Sequence, residues 1–351
     1  MKLTPLDKDR KAPLPGYVTG HREIAGRLVP VVSPRLTARD RLGDWGVRWD
    51  IRRNDYKVAP GLYAVGDPGA SSPILVTANY KLTFDRLRRE LAGVDAWIAV
   101  LDTKGVNVWC AAGKGSFGTA ELLDKIARLG LGDIVAHRTL ILPQLGAPGV
   151  SAPEIARVSS FRVVWGPVRA SDLAAFLAGG MKKTEEMRRV RFRLADRMAV
   201  APVELAHAWP FGLGSVAISF LGALPLDAGF GHRFAWIAVA TAGSVLAGSL
   251  AFPALLPFLP TRAFSVKGAF LGALWGLASS LLGGLGIGLG AALVLSSAAI
   301  VSFIGLNFTG SSTFTCQSGA GAEVEKSVIP IVASLVSGIA LGVFSRVFGF
   351  R

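Results

Sequence analysis

The chain has 351 residues, of which 51% are hydrophobic, with a mean hydropathy of +0.46 and a formal net charge of +14. That apolar content exceeds what a soluble globule needs, so a wholly soluble protein is disfavoured and two domains are the default. The basic balance does not indicate nucleic acid, because Lys and Arg are spread through the first part without an aromatic-interleaved patch.

Residues 1–57 are basic, poorly periodic and rich in proline (Pro5, Pro13, Pro15, Pro30 and Pro34). They read as an extended N-terminal arm with a turn at Pro15-Gly16. Trp45 and Trp49, four residues apart, are expected to pack one helical face. An α/β domain is expected over 58–180. Apolar runs at 62–65, 74–78, 96–101, 139–142 and 161–165 read as strands, with helices at 82–92, 120–131, around 153–159 and 172–178. Repeated βα units with short connections predict a parallel sheet covered on both faces. Right-handed crossovers then gather the strand ends on one edge. The predicted lining of that edge is 77–79, 102–103, 107–114, 144–146 and 165–167.

Residues 181–202 read as a charged helical connector, and its basic run 187–193 suits an anionic membrane surface. From Val203 onward there are only six basic and four acidic residues, so the preceding part carries a net charge of +12. The region 203–351 is expected to be a transmembrane domain with five spans near 203–226, 233–257, 266–284, 287–306 and 327–347. Each is long enough for a hydrocarbon core of ~30 Å at about 1.5 Å per residue. Abundant Gly and Ala suit close helix packing in lipid. Residues 1–10 lack the apolar core of a signal peptide, so the α/β domain is expected in the cytoplasm and the carboxyl terminus across the membrane.

Chemistry concentrates after the strand 96–101. A polar turn, 102–106, leads to the octet Asn107-Val108-Trp109-Cys110-Ala111-Ala112-Gly113-Lys114, then to a Gly-rich stretch and a helix capped by Thr119. Cys110 thus falls at the carboxyl end of a central strand, where open α/β sheets bind ligands. On spacing alone it is either a small buried hydrophobe or a ligand. Residues 113–118 fit GxGxxG, but no acidic residue ends the next strand to hold a ribose. A Walker loop is ruled out because Gly115 follows Lys114 where Ser or Thr is required. Cys110 and Cys316 provide neither a disulfide framework nor a CxxC site.

The octet resembles the signature of the corrinoid protein of the mercury-methylation pair (HgcA family). The likeness continues through Arg53-Asn54-Asp55-Tyr56, residues 76–81 and 140–149, and Asn307-Phe308-Thr309-Gly310. It implies an α/β Rossmann-like corrinoid-binding domain followed by an all-α transmembrane domain of five helices. The cofactor implied is a cobalamin-type corrinoid, with Cys110 on a short cap helix as the lower axial ligand of cobalt. Cofactor contacts are expected from Thr77, Asn79, Asn107, Val108, Trp109, Ala111, Ala112, Gly113, Lys114, Gln144 and Gly146. Among these, Asn107 is expected as the helix N-cap, Trp109 as a packing residue, and Thr77 and Asn79 near the upper face or tail. The Gly-rich turn would let the backbone approach a flat macrocycle.

The activity implied is that of a membrane-anchored corrinoid-dependent methyltransferase, which passes a methyl group to mercury(II) to form methylmercury. A thiolate is a soft, strongly donating ligand and would polarise the methyl group toward such an electrophile. The partners implied are a ferredoxin-like iron–sulfur protein as electron donor and a methyltetrahydrofolate-linked methyl donor, in an anaerobe. Two other classes stand beside this one. The first is a methyl carrier of one-carbon, acetyl-CoA pathway-like metabolism with another acceptor. The second is a transporter with an α/β regulatory domain, disfavoured by the scarcity of intramembrane charge. Residues 307–315 read as a polar cytoplasmic loop that either ends a helix or lines metal access, and the adjacent Cys316 as incidental or, alternatively, as a thiol that could hold mercury(II) in transit.

Overall fold

In the computed structural model, which describes residues 15–311, 314–315 and 317–348, the chain divides into two units. One comprises residues 15–47 and 51–190, the other 48–50 and 191–348. The first is built on a seven-stranded sheet of order β1-β2-β3-β5-β4-β6-β7. Its strands are β1 (Val18–Ile24), β2 (Arg27–Val32), β3 (Gly61–Val65), β4 (Ile74–Ala78), β5 (Ala96–Leu101), β6 (Thr139–Leu142) and β7 (Arg162–Trp165). Around them lie helices α1 (Ala38–Arg48), α2 (Lys81–Glu90), α3 (Val108–Gly113), α4 (Thr119–Leu129), α5 (Leu131–Ile134), α6 (Ala152–Ser159), α7 (Leu173–Ala178) and α8 (Glu185–Arg188).

The half of the sheet that matters for a site is parallel: β5, β4, β6 and β7 pair in that order and point the same way. The other half is not. β3 runs antiparallel to β5, and β1 and β2 form an antiparallel hairpin at the edge. The uniformly parallel sheet expected from the strand and helix runs is therefore corrected. Residues 66–73, which join β3 to β4, contain no helix, and a parallel crossover needs a dozen residues or so. The expected extended arm is corrected as well. Within the described residues 15–57, alternating burial in β1 lets the hairpin join the sheet, and α1 follows it.

Period-two alternation sorts β5 between two cores. Trp97, Ala99 and Leu101 face one core with Val108, Ala111 and Leu122 from α3 and α4. Ala96, Ile98 and Val100 face the other with Phe84 and Leu87 of α2 and Phe176 of α7. Burial on both sides explains why the strand reads as an unbroken apolar run. Trp45 is 59% exposed on α1, while Trp49 is half-buried.

The second unit is helical. It contains α9 (Leu194–Met198), α10 (Ala201–His207), α11 (Trp209–Ala223), α12 (Phe230–Leu246), a π-turn (Ala247–Ala251) running into α13 (Phe252–Leu255), α14 (Phe264–Leu282), α15 (Ile287–Asn307) and α16 (Gln317–Val347). Four helices among the described residues are long and apolar enough to cross a membrane: 230–255, 264–282, 287–310 and 318–347. The first expected span is broken instead, bending by 55° between Leu194–His207 and Trp209–Ala223. Pro210 lies in the first turn of α11, where a missing N–H is tolerated and a new helix starts. The fifth expected span starts earlier, since α16 runs back to Gln317. Of the loop expected at 307–315, residues 307–311 are helical instead. Helix α15 continues through Asn307 into a 3-10 turn, and Phe308 is buried against Phe252. Cys316 lies outside the described residues.

Gly268, Gly272 and Gly276, spaced by four, let α14 press onto the backbone of α15. A Cβ on Gly268 would stand 2.6 Å from Ser302 Cα, and one on Gly276 would stand 2.7 Å from the Leu293 carbonyl oxygen. Such contacts are how helices associate where no hydrophobic drive separates them from lipid.

The end of α13 has a less common solution. Pro257 and Pro260 carry no N–H, so the carbonyls of Pro253 and Leu256 have no helical donor four residues on. Two buried cations take their place. Arg197 donates from Nε to Pro253 O at 2.7 Å and from Nη2 to Ala254 O at 3.1 Å. Lys267 donates to Leu256 O at 2.8 Å and Leu259 O at 2.9 Å. Lys267→Met leaves both carbonyls unpaired and should cost about 1–3 kcal/mol. Thermal unfolding of the detergent-solubilised chain will show a lowered Tm for Lys267→Met. An unchanged Tm would mean the carbonyls are satisfied in another way.

Candidate functional site

Three of the parallel strands end in loops that close around one short helix. After β5 the chain makes a tight polar turn. Lys104 (φ 59) and Gly105 (φ 78) both adopt left-handed backbone conformations. At Gly105 a side chain would be strained by the φ angle and crowded by Asn54 O, which would lie 3.2 Å from a Cβ. Thr103 closes the turn by donating from Oγ1 to Val106 O at 2.6 Å.

Asn107 then caps α3. It is extended, and its Oδ1 accepts from the Cys110 N–H at 3.0 Å, as expected of an N-cap. Its Nδ2 lies 3.5 Å from Cys110 Sγ and fixes the orientation of the sulfur. The helix has two faces. Val108, Ala111 and Ala112 are buried in the core, while Trp109, Gly113 and the C-cap residue Lys114 are exposed and Cys110 is half-buried. Trp109, expected to pack, is 37% exposed because it falls on the outer face with Cys110.

The 3-10 turn Gln144–Gly149, which follows β6, packs directly on α3. Gly149 makes this approach possible: a Cβ there would lie 2.9 Å from Ala112 Cα and would collide with the Phe117 carbonyl oxygen. Gly146 is buried, and a Cβ on it would meet the Phe117 ring at 2.6 Å. Gln144, half-buried, accepts a hydrogen bond from Lys183 Nζ.

Thr77 and Asn79, at the end of β4, are each 2% exposed. Asn79 is committed to the neighbouring turn. Its Oδ1 accepts from Thr103 N (3.1 Å) and Gly105 N (2.9 Å), and its Nδ2 donates to Asp102 Oδ1 (3.2 Å). It therefore acts by holding the turn from which α3 starts. Sequence reasoning missed two further members of this set. Glu121 of α4 accepts the Asp102 N–H at 2.7 Å, and its signal was an acid in the first turn of the next helix. Asn54 bears on Gly105 from a segment distant in sequence, which no local pattern reports.

Burial acts to raise the Asp102 carboxyl, but hydrogen bonds from Lys104 and its charge outweigh this and hold it below the usual range. Asn79→Ala should release the 102–106 turn, leaving the Thr103 and Gly105 N–H groups unpaired at a cost of about 1–3 kcal/mol. Hydrogen exchange resolved to the peptide 100–110 checks this. Faster exchange confined to that peptide is the expected result, and unaltered protection would assign the turn's order to other contacts.

Among the described residues no group of three or more His, Cys, Asp or Glu side chains is placed to hold a metal ion. Cys110 is a lone soft donor on an outward helix face above parallel strand ends. A bare ion, which needs several protein ligands, does not fit this donor set. A metal that brings its own equatorial ring of ligands and takes one axial donor does.

Comparison with known proteins covers this same unit. Residues 49–173 match the family of the CO dehydrogenase/acetyl-CoA synthase delta subunit. Curated relatives are gamma subunits of the acetyl-CoA decarbonylase/synthase complex. The chain is similar to that of Methanopyrus kandleri (33% identical over 137 residues, 38% of this chain and 29% of the relative). It is also similar to those of Methanothermobacter thermautotrophicus (30% over 156 residues, 44% and 32%) and Methanocaldococcus jannaschii (35% over 97 residues, 27% and 20%). The chain thus spans less than a third of the length of each of these relatives. The family match includes Asn107 to Lys114 but ends before the helical unit begins. The relatives matched are thus subunits of acetyl-CoA-handling complexes.

Proposed function

We propose that this chain is a corrinoid-dependent methyl carrier, anchored in the cytoplasmic membrane by its helical unit, with Cys110 as the lower axial ligand of the cobalt. The carrying observation is the half-buried Cys110 on the capped helix α3, a single soft donor in a unit similar to subunits of the acetyl-CoA decarbonylase/synthase complex. The cofactor is a corrinoid, which when bound carries a methyl group on its cobalt and releases it to an acceptor. Asn107 orients the sulfur, the 102–106 turn and Asn79 fix where α3 starts, and the Gly149 contact holds α3 against the 144–149 turn. Trp109, Gly113 and Lys114 present the outer surface beside the sulfur, and Gln144 lies at the neighbouring loop.

The methyl source proposed is a methyltetrahydrofolate-linked donor, and the similar proteins are subunits of acetyl-CoA decarbonylase/synthase complexes. They favour a carrier of one-carbon metabolism as the general role. For the final acceptor we propose mercury(II), on the strength of the octet and of the donor chemistry. Cys110 would hold the corrinoid through its sulfur, and a soft, strongly donating ligand there would favour transfer to an electrophile such as mercury(II). With only two cysteines in the chain, the reductant is proposed to be a separate iron–sulfur protein.

The absorption spectrum of the anaerobically purified full chain tests the cofactor, since it reports corrinoid content and axial ligation together. Parallel turnover with mercury(II) and with an acetyl-CoA-forming acceptor then separates the two readings. Methylmercury formation is the expected result. Transfer only to the second acceptor would assign the chain to one-carbon metabolism alone. The membrane placement is tested by a reporter fused after Arg351. Five spans require it across the membrane from the α/β unit, and a cytoplasmic signal would return the bent pair 194–223 to one side.

A further inference from the structure

One cation at the strand edge is unused by this reading. Lys183 lies between α7 and α8, half-buried, with its ammonium donating to Gln144 Oε1 at the start of the turn that packs on α3. The fold brings it there deliberately. Gly180 (φ 67) and Met181 (φ 62) reverse the chain after α7, and Val168 N–H donates to Met187 O at 2.9 Å, pinning α8 beside the end of β7.

The charge around Lys183 is one-sided. Its partner is a neutral amide, and Glu185 of the same segment pairs with Arg189 at 3.1 Å. Burial first, and then the neighbouring Arg188, lowers the Lys183 ammonium below the usual lysine range. An ammonium partly withdrawn from water gains little from an amide oxygen and much from an anion. Its place is the carboxyl edge of the parallel strands, where ligands of such sheets lie.

Resting on the reading of this unit as a corrinoid carrier, we propose that Lys183 leaves the Gln144 oxygen to hold the phosphodiester of the corrinoid's nucleotide tail, with the Gln144 amide N–H as a second contact. Gln144 Oε1 then marks the position of a phosphate oxygen. The site recognises the tail, whereas Cys110 addresses the metal, so the two contacts are separable.

The test is equilibrium binding of cobalamin and of cobinamide, which lacks the phosphodiester and base, to the full chain in detergent under anaerobic conditions. The wild type should bind cobalamin at least about tenfold more tightly than cobinamide. Lys183→Met should erase that preference by weakening cobalamin alone, and Lys183→Arg should restore most of it. Inorganic phosphate should raise the apparent Kd for cobalamin and leave that for cobinamide unchanged. The proposal is overturned if Lys183→Met weakens both corrinoids equally or neither. It is also overturned if inorganic phosphate alone binds saturably while cobalamin shows no preference over cobinamide, which would assign the site to free phosphate. A wild type that binds neither corrinoid refutes the cofactor reading itself, an outcome distinct from the loss of preference.

Discussion

If the proposed reading holds, Cys110→Ala should abolish methylmercury formation while much of the corrinoid is retained. The two effects should separate because the sulfur would offer a single contact from the outer face of α3, whereas the loops after β4, β5 and β6 would supply the rest of the surface. The substitution removes no core contact, since α3 is buried through Val108, Ala111 and Ala112. Turnover should fall by orders of magnitude with little change in the unfolding midpoint. Cys110→His sharpens the result: an imidazole still ligates cobalt but donates less charge than a thiolate, so corrinoid stays bound and transfer to mercury(II) falls steeply. Retention is read from the bound absorption spectrum, and transfer from methylmercury formed under strictly anaerobic conditions. Wild-type rates for Cys110→Ala would remove sulfur from the mechanism and leave it a half-buried packing residue.

Arg88→Met should cost about 3–5 kcal/mol, a large part of the stability of a domain this size. Arg88 is fully buried and bridges Asp85 (2.7 Å) and Asp40 (2.9 Å), while also donating to the Ser33 and Arg35 carbonyl oxygens. Lys81 bonds the same two carboxylates, so two acids and two bases balance. Without Arg88 the balance is lost and a buried carboxylate has no partner. Arg88→Lys should recover only part of the loss, because an ammonium cannot present the fork that reaches both carboxylates and both carbonyls. Chemical denaturation measures both variants, and a cost below about 1 kcal/mol would mean the cluster relaxes to admit water.

The same cluster predicts an acid response. Burial works to raise Asp40, but hydrogen bonds from Lys81 and Thr37 prevail and hold its carboxyl well below the usual carboxylate range. A folded-state value below the unfolded one makes its contribution complete above about pH 4. That contribution is then lost as the pH falls through the lower, folded-state value.

This cluster was invisible in the sequence. Asp40 belongs to a stretch that reads as an arm without periodicity, and nothing local pairs it with Arg88, 48 residues away. The hairpin of β1 and β2 was missed for a related reason: Pro30 sits inside β2, and proline demotes a strand when read alone. Asn79 shows the same limit at the site. Its position at a strand end was legible, but its commitment to Thr103 and Gly105 depends on which strand lies beside β4.

What the sequence determined by itself was whatever local periodicity and composition encode. The buried strand 96–101, the helix at 119–129 (with Gly118 rather than Thr119 as its N-cap), the Asn107 cap and the long apolar helices all rest on side-chain spacing within one segment. The octet likewise sets Cys110 apart as a candidate donor. Tertiary structure decided strand order, the antiparallel β3 and the outward turn of Trp109. It also decided the cations that replace the missing N–H groups of Pro257 and Pro260, and the approach of Lys183 to Gln144. Each of these depends on pairing between segments far apart in the chain, where the energy lies in desolvated charge and shared hydrogen bonds that no single segment carries.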